Sequence, residues 1–276
     1  IRPDGRECLA AREIRVQTGV IPHANGSASL RCGSTRVVVG VKAELATPDT
    51  HSPKWGKISV SVKCSATASP AFEGRAGEEL SMELSLAMNG MLSAGMNAKV
   101  YESLCLKEGY QCWQLYVDAV VLDSDGSLLD AISLATYAAL GDTALPKVQT
   151  FSAQDGEVKI DVADAIEDCE TFDVSSVPVF ISLVQIGTSF VVDALAVEEA
   201  CAVAKLCVGV TAVGKVCSTL KSQGRGMHPL QIVRMVKGAV AVGKERIQLL
   251  DRKLVQGKAA AAADDIYMDV DQPVFC

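Results

Sequence analysis

Positive charge is what this 276-residue chain is short of: 26 Lys and Arg stand against 33 Asp and Glu, for a formal net charge of −7. That deficit argues against a free-standing nucleic-acid binder, which presents a basic face to phosphates. Any contact with RNA has to be local or shared with partners. Aromatic residues make up only 5% of the chain while apolar residues make up 49%, so the core has to be built from Val, Leu, Ile and Ala, as in a globular α/β protein. No stretch approaches the ~20 consecutive apolar residues of a membrane span. The opening Ile1-Arg2-Pro3-Asp4-Gly5-Arg6 is unlike a signal peptide. A soluble intracellular protein with no membrane partner is expected.

Histidine is scarce too, with three residues, and the ten cysteines lack the spacing that would give them a metal. No two are separated by the two to four residues of a zinc knuckle, and no histidine clusters beside them. Several, such as Cys64 and Cys207, fall in apolar strand patterns. They are expected to be reduced, buried small hydrophobes, with no metal and no cofactor.

What is present is a change of hydrophobic period along the chain. Apolar and polar residues alternate in Glu13 to Gln17 and in Ile58 to Val62, with β-rich runs at Ser27 to Cys32 and Arg36 to Leu45. An antiparallel meander or hairpin array is expected there. Leu80, Leu84, Ala87, Met88, Met91 and Leu92 then share one helical face, after a Gly74 to Gly77 loop and with Glu78 and Glu79 in the first turn. A strand at Gln114 to Asp123, a turn at Ser124 to Ser127 and a helix apolar nearly all round from Ala131 to Leu140 follow. That helix is expected between two layers.

A second cycle has strands at Val177 to Ile186, Ser189 to Asp193, Leu206 to Thr211 and Lys215 to Leu220, then a helix opened by Pro229. The expected division is 1–150 as one half, 151–175 as an acidic connector, 176–255 as a second half, and 256–276 as a tail of doubtful order.

Read in order, several short motifs resemble the RNase PH-like ring subunits of the RNA exosome. They are Arg2-Pro3-Asp4-Gly5-Arg6, Asn25-Gly26-Ser27-Ala28, Gly33-Ser34-Thr35, Val39 to Glu44, Glu73-Gly74-Arg75, Cys112 to Asp118, Asp130-Ala131-Ile132-Ser133 and Val192-Asp193-Ala194 with Glu198-Glu199. Each is weak alone; their succession across about residues 1 to 255 is specific. The resemblance implies an α/β (α+β) RNase PH-like fold, two sheet-and-helix halves like the second domain of ribosomal protein S5. It also implies paralogous partners in a hetero-hexameric ring, cap subunits, RNA threaded through a central channel, and residence in the nucleus, the nucleolus and the cytoplasm.

Phosphorolytic members of that family use an arginine pair opening the central helix, an arginine in a Gly-Gly-Ser/Thr-Arg turn, and acids in a Glu-Asp-x4-Ala-Asp segment. Arginine forks hold the phosphates, and the acids protonate the leaving oxygen or bind a metal. Here the pair falls on Glu79 and Leu80, the turn arginine on Leu129, and the last acid on Lys205, with Glu199 kept ahead of it. No Lys or Arg occurs between Arg75 and Lys99. No intrinsic ribonuclease activity is expected. The alternative is a phosphorolytic 3′-exoribonuclease with a site shared with a paralogue.

Other features have plainer readings. Asp193, Glu198 and Glu199 could form a carboxylate cluster, but a solvated or ion-paired turn after a strand, one that could face Lys205, is the expectation. His23 reads as a loop residue, and His228, before Pro229, as a helix start. Gly74-Arg75-Ala76-Gly77 lacks a full nucleotide-binding pattern. The basic residues from Lys221 to Lys253 read first as a solvated face, then as a contact with RNA or an acidic neighbour. Arg75 and Lys107 are candidates for touching RNA.

Overall fold

The computed structural model describes residues 2–152, 158–162, 169–224 and 226–268. β1 (Ile14–Thr18), β2 (Gly26–Cys32) and β3 (Thr35–Ala46) form an antiparallel meander. In β3 the period of two puts Val37, Val39 and Val41 in the core and turns Arg36 and Lys42 outward.

β4 (Lys57–Cys64) belongs to the same sheet but does not continue the meander that the sequence suggested. The chain leaves it through α1 (Arg75–Gly95), α2 (Ala98–Ser103) and β5 (Cys105–Lys107), and β6 (Gln111–Asp123) then inserts between β3 and β4. β6 is antiparallel to β3 and parallel to β4. A parallel pair needs a crossover, and α1 supplies it.

α3 (Leu128–Asp142) follows, with every residue from Leu129 to Leu140 buried. It packs on β2 and β3 on one side and on the second sheet on the other, as its all-round apolar sequence suggested. β7 (Ala144–Pro146), β8 (Val148–Ser152), β9 (Val158–Val162) and β10 (Cys169–Thr171) follow. The expected connector therefore carries β9 and β10, which pair back with β8 and β7 ahead of it; residues 153–157 and 163–168 lie outside the described residues.

β11 (Val179–Ile186), β12 (Ser189–Val192), α4 (Ala196–Ala200), β13 (Ala204–Val210) and β14 (Val216–Gly224) complete an antiparallel sheet of order β12-β11-β13-β14. α5 (Pro229–Met268) packs on β1, β11 and β13, tying the two sheets together. It runs past Gln256, where the sequence set the start of a doubtful tail, as far as Met268; residues 269–276 lie outside the described residues. No described helix is long and apolar enough to cross a membrane.

Three sheet edges receive hydrogen bonds from other elements. A stripe on α1 serves β4: Ser81, Ser85 and Asn89 accept from the N–H groups of Cys64, Val62 and Val60 at 3.0, 2.9 and 2.9 Å. Along β1, Lys253 of α5 donates to the Ile14 carbonyl, and next to it Arg246 donates to that of Arg12. On β12 the Val192 N–H donates to the Cys8 carbonyl at 2.9 Å.

Candidate functional site

The turn before α3 bends sharply, with Gly126 at φ 81° and Ser127 at φ 50°. A side chain at Gly126 would run into backbone, its Cβ falling 2.4 Å from the Ala194 carbonyl oxygen. The turn is fastened from three directions. Thr35 accepts from the Asp125 N–H at 3.0 Å and donates to the Gly126 carbonyl at 3.1 Å. Arg12 donates to the Asp125 carbonyl at 2.8 Å, and Ser127 donates its hydroxyl to the Ala194 carbonyl at 3.1 Å.

Arg12 also grips Asp193, with Nη2 2.6 Å from Oδ1 and Nε 3.1 Å from both carboxylate oxygens. Asp193 is buried at a left-handed φ of 50°. Arg246 and Arg6 approach its Oδ2 at 3.5 and 3.4 Å. Burial would raise the Asp193 pKa, but Arg12 and Arg246 outweigh it and hold the carboxyl below its ordinary value. Beside it Arg2 clasps Glu198 with two bonds of 2.9 and 2.8 Å. Burial again opposes, and Arg2 again keeps that carboxyl low.

Glu199 turns the other way. Its Oε1 accepts from the Ser127 N–H at 3.0 Å and from Lys205 Nζ at 2.7 Å. Burial alone would lower the Lys205 pKa, yet the Glu199 charge outweighs it and the ammonium is held above its ordinary value. The three acids are thus an ion-paired set rather than a shared cluster, each with its own cation. Among the described residues no group of His, Cys, Asp and Glu is arranged to hold a metal.

Between this turn, α1, α4, β13 and β14 lies a cleft of about 870 Å³. Of the positions singled out in the sequence, Leu80, Leu129, Glu199 and Lys205 all line it. Glu79 does not. On a helix the residues three and four beyond Leu80 share its face, and the cleft-lining set is Leu80, Glu83, Leu84, Leu86 and Ala87. Glu79 lies on the flank and pairs with Arg75 at 2.8 Å, both well exposed.

Arg75 and Lys107 are not brought together with the cleft either. Lys107 sits in β5 with its ammonium over the Tyr110 ring, 4.9 Å from the centroid. His23 is an exposed turn residue, and His228 accepts the Leu230 N–H at the start of α5.

Sequence reasoning missed Glu83 and Leu86, which helical spacing from Leu80 could have found. It did not place Lys221 here, because that residue reaches the cleft by pairing of β14 with β13 and leaves no local signal. It also missed the part played by Asp130. Fully in the core at the base of α3, Asp130 accepts from the Ser182 N–H at 2.9 Å and the Ser182 hydroxyl at 2.5 Å. Burial pushes its carboxyl up to about 7 against those hydrogen bonds.

Two family models match the chain: domain 1 of the 3′ exoribonuclease family (RNase PH) over residues 10–146, and domain 2 over residues 176–242. A protein of Dictyostelium discoideum named putative exosome complex exonuclease RRP42 is 33% identical, covering 92% of this chain and 93% of that protein. The exosome complex component Rrp42 of Methanopyrus kandleri is 36% identical over 80% of each chain. Among solved structures, a chain of the Archaeoglobus fulgidus exosome with RNA bound to the active site superposes with a TM-score of 0.74 at 28% identity. The match covers 90% of this chain and 91% of that one.

Proposed function

Since the chain belongs to the RNase PH family of 3′ exoribonucleases, with Rrp42 exosome components among its relatives, we propose that it is a ring subunit of the RNA exosome without catalytic activity of its own. Its partners are paralogous RNase PH-like subunits in a hetero-hexameric ring, cap subunits, and RNA threaded through the channel. Its work is to complete the ring in which 3′-to-5′ processing and degradation of RNA, including ribosomal RNA, take place.

The observation that carries the inactive reading is the charge of the cleft. Phosphorolysis needs cations to hold inorganic phosphate against the scissile phosphate. The cleft offers Lys205, already neutralised by Glu199, and Lys221, while Glu83 and Glu199 place negative charge beside them. Leu80, Leu86 and Leu129 supply only hydrocarbon. Glu199, the acid at the family's acid position, is held by Lys205 and by the Ser127 N–H rather than left free to protonate a leaving oxygen.

The test is to co-express the chain with the other RNase PH-like subunits of its cell, purify by a tag on this chain, and assay labelled RNA with and without inorganic phosphate. The expected result is a stoichiometric ring in which Lys205→Ala and Lys221→Ala leave any phosphate-dependent release of nucleoside diphosphates unchanged. Release abolished by either substitution would point to a site shared with a paralogue. Fluorescent tagging reads the proposed residence in nucleus, nucleolus and cytoplasm.

A further inference from the structure

β14 is the longest edge strand of the two larger sheets. β14 pairs with β13 on one side from Val216 to Gly224. Beyond that ladder its main chain meets, among the described residues, the Lys221 ammonium at the Gly224 carbonyl and its own Cys217 thiol at the Cys217 and Ser218 N–H groups. An open edge of nine residues is a template for strand addition, and folded proteins ordinarily blunt such edges. This one does so for β4, the next longest at eight residues, where α1 side chains take three N–H groups, while β1 and β12, of five and four residues, are each met at a single residue, Ile14 and Val192.

The open edge also borders the cleft. Leu220 and Ser222 lie opposite Cys207 and Lys205 in the ladder, and all four line the cleft. On its far side is α1, with Leu86 68% exposed and the neighbouring Met82 67% exposed. Two large apolar side chains one helical turn apart, beside a row of free N–H and C=O groups, match an extended polypeptide better than a polyanion. Its main chain would pair with β14, and alternate side chains would enter the cleft, the division of labour by which strand addition combines affinity with specificity.

We propose that the β14 edge and the cleft together receive an extended, apolar-rich segment of an adjacent ring subunit, so that the former catalytic cleft serves as an assembly groove. This rests on the reading of the chain as a ring subunit.

The experiment follows amide hydrogen exchange at residues 216–224 in the full chain alone and in the co-expressed ring. Alternate amides of β14 are expected to slow at least tenfold on assembly. A second arm substitutes Leu86→Arg, an exposed position, and is expected to lower recovery of the ring at least tenfold while leaving the melting temperature of the isolated chain unchanged. A ring that forms with unchanged exchange at β14 and normal recovery of the Leu86→Arg variant overturns the groove and leaves the ring reading standing. If β14 slows when RNA is added to the isolated chain and not on assembly, the edge binds RNA and the proposal fails. If no ring forms with any paralogue, the underlying reading fails and the groove with it.

Discussion

Two charged regions flank the turn before α3, and they have kept different things. On one side Arg2, Arg12 and Arg246 enclose Asp193 and Glu198 in a buried junction of the amino-terminal segment, β12, α4 and α5. On the other side the cleft pairs Glu199 with Lys205 and is otherwise faced largely with leucine and alanine. The junction holds the chain's two halves in register, so loss of a charge there costs folding. On the proposed non-catalytic reading, the cleft is free to lose charges that reaction chemistry alone requires, while the turn keeps its shape.

The largest test of that contrast is Asp193→Ala. It would strand Arg12 and Arg246 in the interior without their carboxylate, which costs ~3–5 kcal/mol in buried pairs. Urea unfolding should show that loss, whereas Leu129→Ala in the cleft wall, 9% exposed, should cost less. Equal losses would remove the distinction between the regions. Gly126→Ala comes next. Its Cβ would meet the Ala194, Leu195 and Ala196 backbone at 2.4 to 2.8 Å, in a conformation of φ 81° that alanine resists. Destabilisation above ~2 kcal/mol is expected, since both strain and overlap act, and a neutral melt would mean that the turn is not fastened as described.

A third test uses the opposite pH signs of two buried aspartates. Asp130 has its pKa raised from 3.8 to about 7, so in that window the folded state holds a proton that the unfolded chain has released. Its contribution is full below about pH 4 and is lost as pH rises towards 7, with a slope approaching ~1.4 kcal/mol per unit. Asp193 is lowered, so its contribution is present above the ordinary carboxylate value and lost as pH falls. Asp130→Asn should flatten the decline between pH 4 and 7 in chemical unfolding curves, leaving the acid limb set by Asp193 in place. An unchanged profile would show that Asp130 does not titrate in that window.

Much of this fold was legible because burial imposes period. β3 alternates, α3 is apolar all round, and α1 carries a stripe, so each element announced itself. The insertion of β6 between β3 and β4 was not legible, because strand order is decided by a crossover and not by any residue in the strands. The cleft was half legible. Leu80, Leu129, Glu199 and Lys205 came from motif positions and converge in space. Glu79, one residue before Leu80, is rotated from it by about 100° on the helix and lies outside the cleft. The partners of Asp193 and Glu198 were out of reach, since Arg12 and Arg2 lie 181 and 196 residues away.

The smallest expected effect sharpens the contrast from the cleft side. Glu199 and Lys205 are 28% and 21% exposed and meet at 2.7 Å, so solvent screens their attraction and each retains some hydration when the other is removed. A double-mutant cycle with Glu199→Gln and Lys205→Met should return a coupling of ~1 kcal/mol, well below the cost of breaking the Asp193 cluster. The Ser127 N–H keeps an acceptor in the amide oxygen that Glu199→Gln introduces, so the turn should survive the substitution. A coupling of about 3 kcal/mol or more, the range of buried pairs, would put this pair among the structural charges, and would mean that the cleft, like the junction, keeps its ions for folding.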